Sequence, residues 1–241
     1  MDTTAERIRT NGLTKRFSNG TLGLEALTLT VRQGEFVCLF GGPGAGKSTA
    51  LHIIAGLMKP SFGTVMIDGT DVSDSLETKG RVTLIASDWN HPPRLTPIES
   101  LRTYVALNGI QASVHECRNA LRDGGIPESA MLLPARTLPA EHKLATWLAL
   151  ARITRRQVLL LDDPASGLDI VAVSRLIQQL ESLRRDTATL VATANPVLAA
   201  HADRCIVLID GRPVLQRSRG EFTAQSLAST YFRLWGSRES N

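Results

Sequence analysis

Short, wholly apolar runs alternate with stretches of helical spacing along this chain. "FVCLFG" (residues 36–41) ends in glycines, as a strand buried on both faces does. "RVTLIAS", "VLLLDD", "ATLVATA" and "CIVLIDG" repeat that pattern, and "TLTVRQGE" ahead of them reads as an antiparallel hairpin arm. After the first run, "STALHIIAGLM" places Leu51, Ile54, Ala55 and Met58 at helical spacing. The middle of the chain differs: "PIESLRTYVALNG", "SVHECRNALRDGG" and "EHKLATWLALARIT" are helical and no strand pattern interrupts them. At the end, "SLASTYFRLWGSRES" puts Leu227, Tyr231 and Leu234 on one helical face. The pattern predicts an α/β core of mostly parallel sheet over 1–87 and 155–220, with an N-terminal antiparallel β part. A helical subdomain is inserted over 88–154 and a C-terminal helix follows over 221–241.

Composition narrows the class. The 241 residues are 43% hydrophobic, which suits a globular domain with a substantial core. No apolar run approaches the ~18–20 residues that span a bilayer. The opening "MDTTAERIRTNG" carries acids and no apolar segment, so no signal peptide is expected. Cys38, Cys117 and Cys205 are widely spaced, which argues against a disulfide framework or a zinc site and fits the cytoplasm. The net charge of +4 is scattered, without aromatic interleaving, and no nucleic-acid partner is expected.

The strongest chemical signal is "GGPGAGKST". Gly41, Gly42, Pro43, Gly44, Ala45, Gly46, Lys47 and Ser48 fit G-x-x-x-x-G-K-[ST], with Thr49 following, between a predicted strand and a predicted helix. Glycines allow backbone angles that turn successive N–H groups inward, and a helix N-terminus adds its positive end. Lys47 supplies a charge for the β/γ-phosphates of ATP and Ser48 a hydroxyl for Mg²⁺. The apolar strand "VLLLD" delivers Asp162 as the second magnesium ligand, the Walker B arrangement of a P-loop NTPase with a RecA-like core.

Taken together these residues resemble the nucleotide-binding subunits of ABC transporters, over nearly the whole chain. "LTKRF" sits where that family stacks an aromatic on adenine, which makes Phe17 the candidate. "DPASGLD" is similar to the family's Walker B proline and D-loop, with Ser166, Gly167, Leu168 and Asp169. "RLTPIESLRTYVALNGI" and "LASTYFRLWG" look like drug- and antibiotic-exporter subunits.

The resemblance also shows four departures. Asp163 stands where the family has a glutamate as general base; it is one methylene shorter, so its carboxylate is drawn back by roughly 1–1.5 Å. A misplacement of about 1 Å can cost on the order of 10²-fold in rate. Ala194 stands in place of the switch histidine, and among the five histidines His201, expected in a helix, is no substitute. Ser87 replaces the glutamine that touches metal and water. The signature motif, 24 residues before Asp162, falls on Leu138, Pro139, Ala140, Glu141 and His142; a second alignment shifts it to "AEHKL". Pro139 removes an N–H, and Glu141 sets a negative charge where a partner's phosphate is expected, with Lys143 as the nearby compensation.

The resemblance therefore implies an ATP-binding subunit that holds Mg-ATP and hydrolyses it weakly or not at all, on the inner face of the membrane. Its implied partners are transmembrane subunits, received near "DWNHPPRLTPIESL" with Trp89, and a second nucleotide-binding subunit in a homo- or heterodimer. Three readings follow: an energising subunit of an export complex; a non-hydrolysing, ATP-gated regulatory module; and, least suited to a chain of this size, a soluble relative acting on ribosomes or DNA.

Overall fold

The computed structural model describes residues 5–73, 78, 80–86 and 91–239, with side chains to residue 236. In chain order the first elements are β1 (Glu6–Arg16), β2 (Leu22–Arg32), β3 (Phe36–Phe40), α1 (Lys47–Ile54), β4 (Phe62–Ile67), β5 (Thr70–Asp71) and β6 (Val82–Ile85). Then come α2 (Pro97–Leu107), α3 (Val114–Asp123), α4 (Glu128–Met131) and α5 (Ala140–Thr154). The chain continues through β7 (Val158–Asp162), α6 (Ile170–Leu183), β8 (Ala188–Thr193), α7 (Pro196–Ala199), β9 (Arg204–Ile209), β10 (Arg212–Ser218) and α8 (Ala224–Glu239).

One compact unit comprises the described residues of 1–86, 157–165 and 184–241. It contains an antiparallel sheet in the order β2-β1-β4-β5 and a six-stranded sheet in the order β10-β9-β3-β8-β7-β6. Every pairing in the second sheet is parallel except β9 with β10. Strands β3, β7 and β8 are buried at every position, which is why they read as unbroken apolar runs. α1 joins the two sheets: its Leu51, Ile53 and Ile54 share a core with Ile8, Leu24 and Leu27 from the first and Val37, Leu160 and Leu190 from the second. Burying a side chain of this size contributes roughly 1.5–3 kcal/mol. Cys38 and Cys205 face each other in the β3/β9 register, both free and buried.

β1 escaped the sequence reading for a physical reason. Its pairing with β2 shifts register between Thr10 and Leu13, around Gly12 at φ 58°. The bulge breaks the two-residue alternation that marks a strand.

The second unit comprises the described residues of 87–156 and 166–183. The core segment expected over 155–220 is thus divided, because α6 groups with the helices. α2 and α3 each open with a full capping box, Thr96 with Glu99 and Ser113 with Glu116; such caps contribute about 1 kcal/mol. Trp147 of α5 stacks on Tyr104 of α2 at 4.2 Å between centroids and on His91 at 4.6 Å. The His91 Nε2–H donates to the Lys143 carbonyl at 2.7 Å.

Candidate functional site

The phosphate loop leaves β3 at Phe40 and enters α1 at Lys47. Gly44 and Gly46 have φ of 75° and 92°, the left-handed region that glycine adopts without strain. At Gly46 there is also no room: a Cβ would lie 2.3 Å from the Gly23 carbonyl oxygen. The loop is anchored from both flanks, the Gly41 N–H donating to Thr193 at 3.2 Å and the Ala45 carbonyl accepting from Gly211 at 3.2 Å. Pro43, Gly44 and Ser48 are exposed, and Thr49 is half-buried.

Lys47 is only 9% exposed. Its ammonium is folded back on the loop and donates to the carbonyls of Gly41 at 2.7 Å and Gly42 at 2.8 Å. Burial lowers its pKa, against the opposing pull of Asp163 and Asp162. Asp162 ends β7, 5% exposed. Burial raises its pKa, and the neighbouring Ser48 hydroxyl opposes that rise. The two side chains expected to hold magnesium, Ser48 and Asp162, are therefore neighbours. Both are hard oxygen donors. That suits Mg²⁺, which takes one or two protein ligands and completes its shell with phosphate and water.

Asp163 follows in a left-handed conformation, φ 46°. Its N–H donates to the Ala192 carbonyl at 2.8 Å, and its Oδ1 accepts from the Thr193 hydroxyl at 3.2 Å. Ala194 comes directly after that threonine, exposed, with only a methyl group to offer. Asn195 caps α7 through Val197 and Leu198. His201 lies in the turn after α7 and not in a helix. Phe17 is half-buried with Lys15 Nζ 5.8 Å above its ring, and its edge covers Gly23, whose carbonyl abuts Gly46. The adenine candidate thus stands one residue removed from the loop.

In the helical unit, Pro139 is the N-cap of α5, without a side-chain cap, and Leu138 is buried. The first signature alignment straddles that helix start, and the second, "AEHKL", lies in the helix's first residues. The Glu141 charge is met by Arg175 of α6, at 3.0 and 2.8 Å to its two oxygens. Compensation comes from Arg175 where Lys143 was expected; Arg175 is 34 residues away and carried no local signal. Asp169, read as a D-loop residue, caps α6 by accepting from the Ala172 N–H at 2.8 Å. An acid before an apolar helical run was a readable sign of that cap. Ser166 and Gly167 are exposed and Leu168 is half-buried. Ser87 and Trp89 lie outside the described residues.

The family model described as "ABC transporter" matches residues 24–166, which include the loop, Asp162 and Asp163. The chain belongs to the ABC transporter family of ATP-binding domains. This ABC domain is 30% identical to the phosphonates import ATP-binding protein PhnC of Thiobacillus denitrificans, over 94% of this chain and 93% of that one. It is 31% identical to the lipoprotein-releasing system ATP-binding protein LolD of Gluconobacter oxydans, over 89% and 98%. It is 30% identical to the sulfate/thiosulfate import ATP-binding protein CysA 2 of Chromobacterium violaceum, over 86% of this chain and only 57% of that longer one. Among solved structures, a dimeric bacterial ABC transporter cassette is similar with a TM-score of 0.80 and 25% identity, over 89% of this ABC domain and all of that chain.

Proposed function

We propose that this chain is the ATP-binding subunit of a transport complex, that it holds Mg-ATP, and that it turns over slowly or not at all at its own site. The observation that carries the reading is an asymmetry. The nucleotide-holding residues are all present: Lys47 is set in the loop, and the Ser48 hydroxyl neighbours Asp162. The water-activating half is reduced to a short Asp163 tied to Thr193, beside the methyl of Ala194.

In this reading the loop amides and Lys47 bind the β- and γ-phosphates, with Lys47 leaving the carbonyls of Gly41 and Gly42 to do so. Phe17 stacks on the base. Ser48 and Asp162 hold magnesium, which supplies charge neutralisation on the phosphates. Asp163 is the weakened general base, and Ala194 leaves the γ-phosphate without an imidazole donor. The "PASGLD" turn, from Pro164 to Asp169, with Ser166, Gly167 and Asp169 exposed, serves the contact with a second nucleotide-binding subunit, in a homo- or heterodimer. Leu138 to His142 form a degenerate signature face.

Among the described residues no helix is long and apolar enough to cross a membrane. Separate membrane subunits then carry the transport path, with this subunit bound to their cytoplasmic side. Export is the direction that "RLTPIESLRTYVALNGI" and "LASTYFRLWG" support, while two of the relatives above are import proteins. The same asymmetry favours a second reading, an ATP-gated regulatory module without productive turnover.

The test is to measure Mg-ATP affinity and phosphate release on the purified chain. Binding that Lys47→Ala abolishes, with turnover far below an intact relative, is expected. Robust turnover that is lost in Lys47→Ala would overturn the proposal.

A further inference from the structure

We propose that Tyr231, on the C-terminal helix α8, is a positioning residue for the phosphate loop, so that the tail of the chain sets the loop's affinity for phosphate. The proposal rests on the nucleotide-binding reading above. The Gly42 N–H donates to the Tyr231 hydroxyl at 3.0 Å, across 189 residues of sequence. The fit is close: a Cβ on Gly42 would lie 2.4 Å from that oxygen. The Tyr231 ring packs edge-on against Phe40, the last residue of β3, with centroids 5.8 Å apart. Trp235 also stacks on it, at 5.9 Å between centroids. The hydroxyl is therefore aimed by packing at the point where strand becomes loop.

What it grips decides its role. The peptide between Gly41 and Gly42 has its N–H on Tyr231 and its carbonyl on the Lys47 ammonium, at 2.7 Å. When Lys47 moves to a phosphate, the carbonyl side of that peptide is released, while the Tyr231 bond stays in place because it involves neither Lys47 nor nucleotide. The next residue, Pro43, has no N–H. Gly42 is flanked by Gly41 and followed within two residues by Gly44, so the segment has much conformational freedom to lose on ordering. A bond that orders it beforehand lowers the cost of binding.

The test uses the full chain and calorimetric titration with Mg-ATP, Mg-ADP and adenosine. Tyr231→Phe keeps the ring packing and removes only the hydroxyl. Loss of one such hydrogen bond predicts about fivefold weaker binding of both nucleotides. Adenosine, which has no phosphate, is expected to bind as before. Gly42→Ala, which displaces the hydroxyl, is expected to weaken the nucleotides too, and adding it to Tyr231→Phe should cost less than the product of the two effects. Unchanged ATP affinity in Tyr231→Phe, an equal loss for adenosine, or multiplicative single effects would each overturn the proposal while the nucleotide-binding reading stood. A wild-type chain that binds no Mg-ATP, indistinguishable from Lys47→Ala, would remove both.

Discussion

The Thr193 hydroxyl donates to the Asp163 carboxylate at 3.2 Å, and the same oxygen accepts the Asn195 N–H at 3.0 Å. Asp163 is thereby tied to the turn after β8, in a left-handed backbone conformation that aspartate tolerates better than longer side chains. The short acid and the alanine two positions before α7, which the proposed function assigns to the hydrolytic half, are thus joined by one threonine.

Restoring one of them is not enough. Asp163→Glu alone is expected to lower stability by about 1 kcal/mol, because glutamate lacks the short-side-chain tolerance for positive φ, and to leave phosphate release near the wild-type rate. Asp163→Glu combined with Ala194→His returns both reach and a γ-phosphate donor, and release is expected to rise by on the order of 10²-fold. Single-turnover phosphate assays and thermal melts read the two effects. A double variant as slow as wild type would mean that the signature face limits turnover by itself.

The Arg175–Glu141 pair makes a separate prediction. Arg175 is largely exposed, so the pair contributes little stability, in the range of about 0.2–1 kcal/mol. A double-mutant cycle of Arg175→Ala and Glu141→Gln in chemical denaturation is expected to give a coupling inside that range, while Lys143→Ala with Glu141→Gln gives none. Coupling through Lys143 instead would show that the Glu141 charge is compensated along its own helix.

These contacts mark where sequence reading stops. β3, β7, β8 and β9 were legible because burial on both faces writes an unbroken apolar run. The phosphate loop was legible because its chemistry is local, from Gly41 to Thr49. β1 was not, since its bulge at Gly12 scrambles the alternation. Thr193 with Asp163, Arg175 with Glu141 and Tyr231 with Gly42 are 30, 34 and 189 residues apart, and none carries a local signature. Each exists only once the topology has brought two elements together.

Gly46 is restricted twice, by its φ of 92° and by the Gly23 carbonyl oxygen, 2.3 Å from where a Cβ would sit. The nearest atoms, from Gly23 and Gly211, all belong to the backbone, so the main chain itself must move to admit a side chain. Gly46→Ala is expected to cost more than about 2 kcal/mol of stability and to abolish nucleotide binding. Gly44→Ala, with a similar φ of 75° but open space around it, is expected to cost less. Equal losses in melts of the two variants would mean that φ alone matters.

Burial acts on both charges of the nucleotide-holding half, in opposite directions. It raises the pKa of Asp162 and lowers that of Lys47. In the proposed function magnesium needs the carboxylate and phosphate needs the ammonium. Mg-ATP affinity should therefore fall on the acid side at a pH above the ordinary aspartate range, and on the alkaline side below the ordinary lysine range. The stability sign follows from linkage. The folded chain holds the Asp162 proton more tightly than the unfolded chain does, so this residue opposes folding as pH rises through its raised pKa. Without magnesium or nucleotide, Asp162→Asn is then expected to raise the melting temperature at neutral pH. That gain should shrink as pH falls to the ordinary aspartate range, where both forms are uncharged. Magnesium dependence of ATP binding should be lost in the same variant. A melting gain independent of pH would show that Asp162 is not held against its charge by burial.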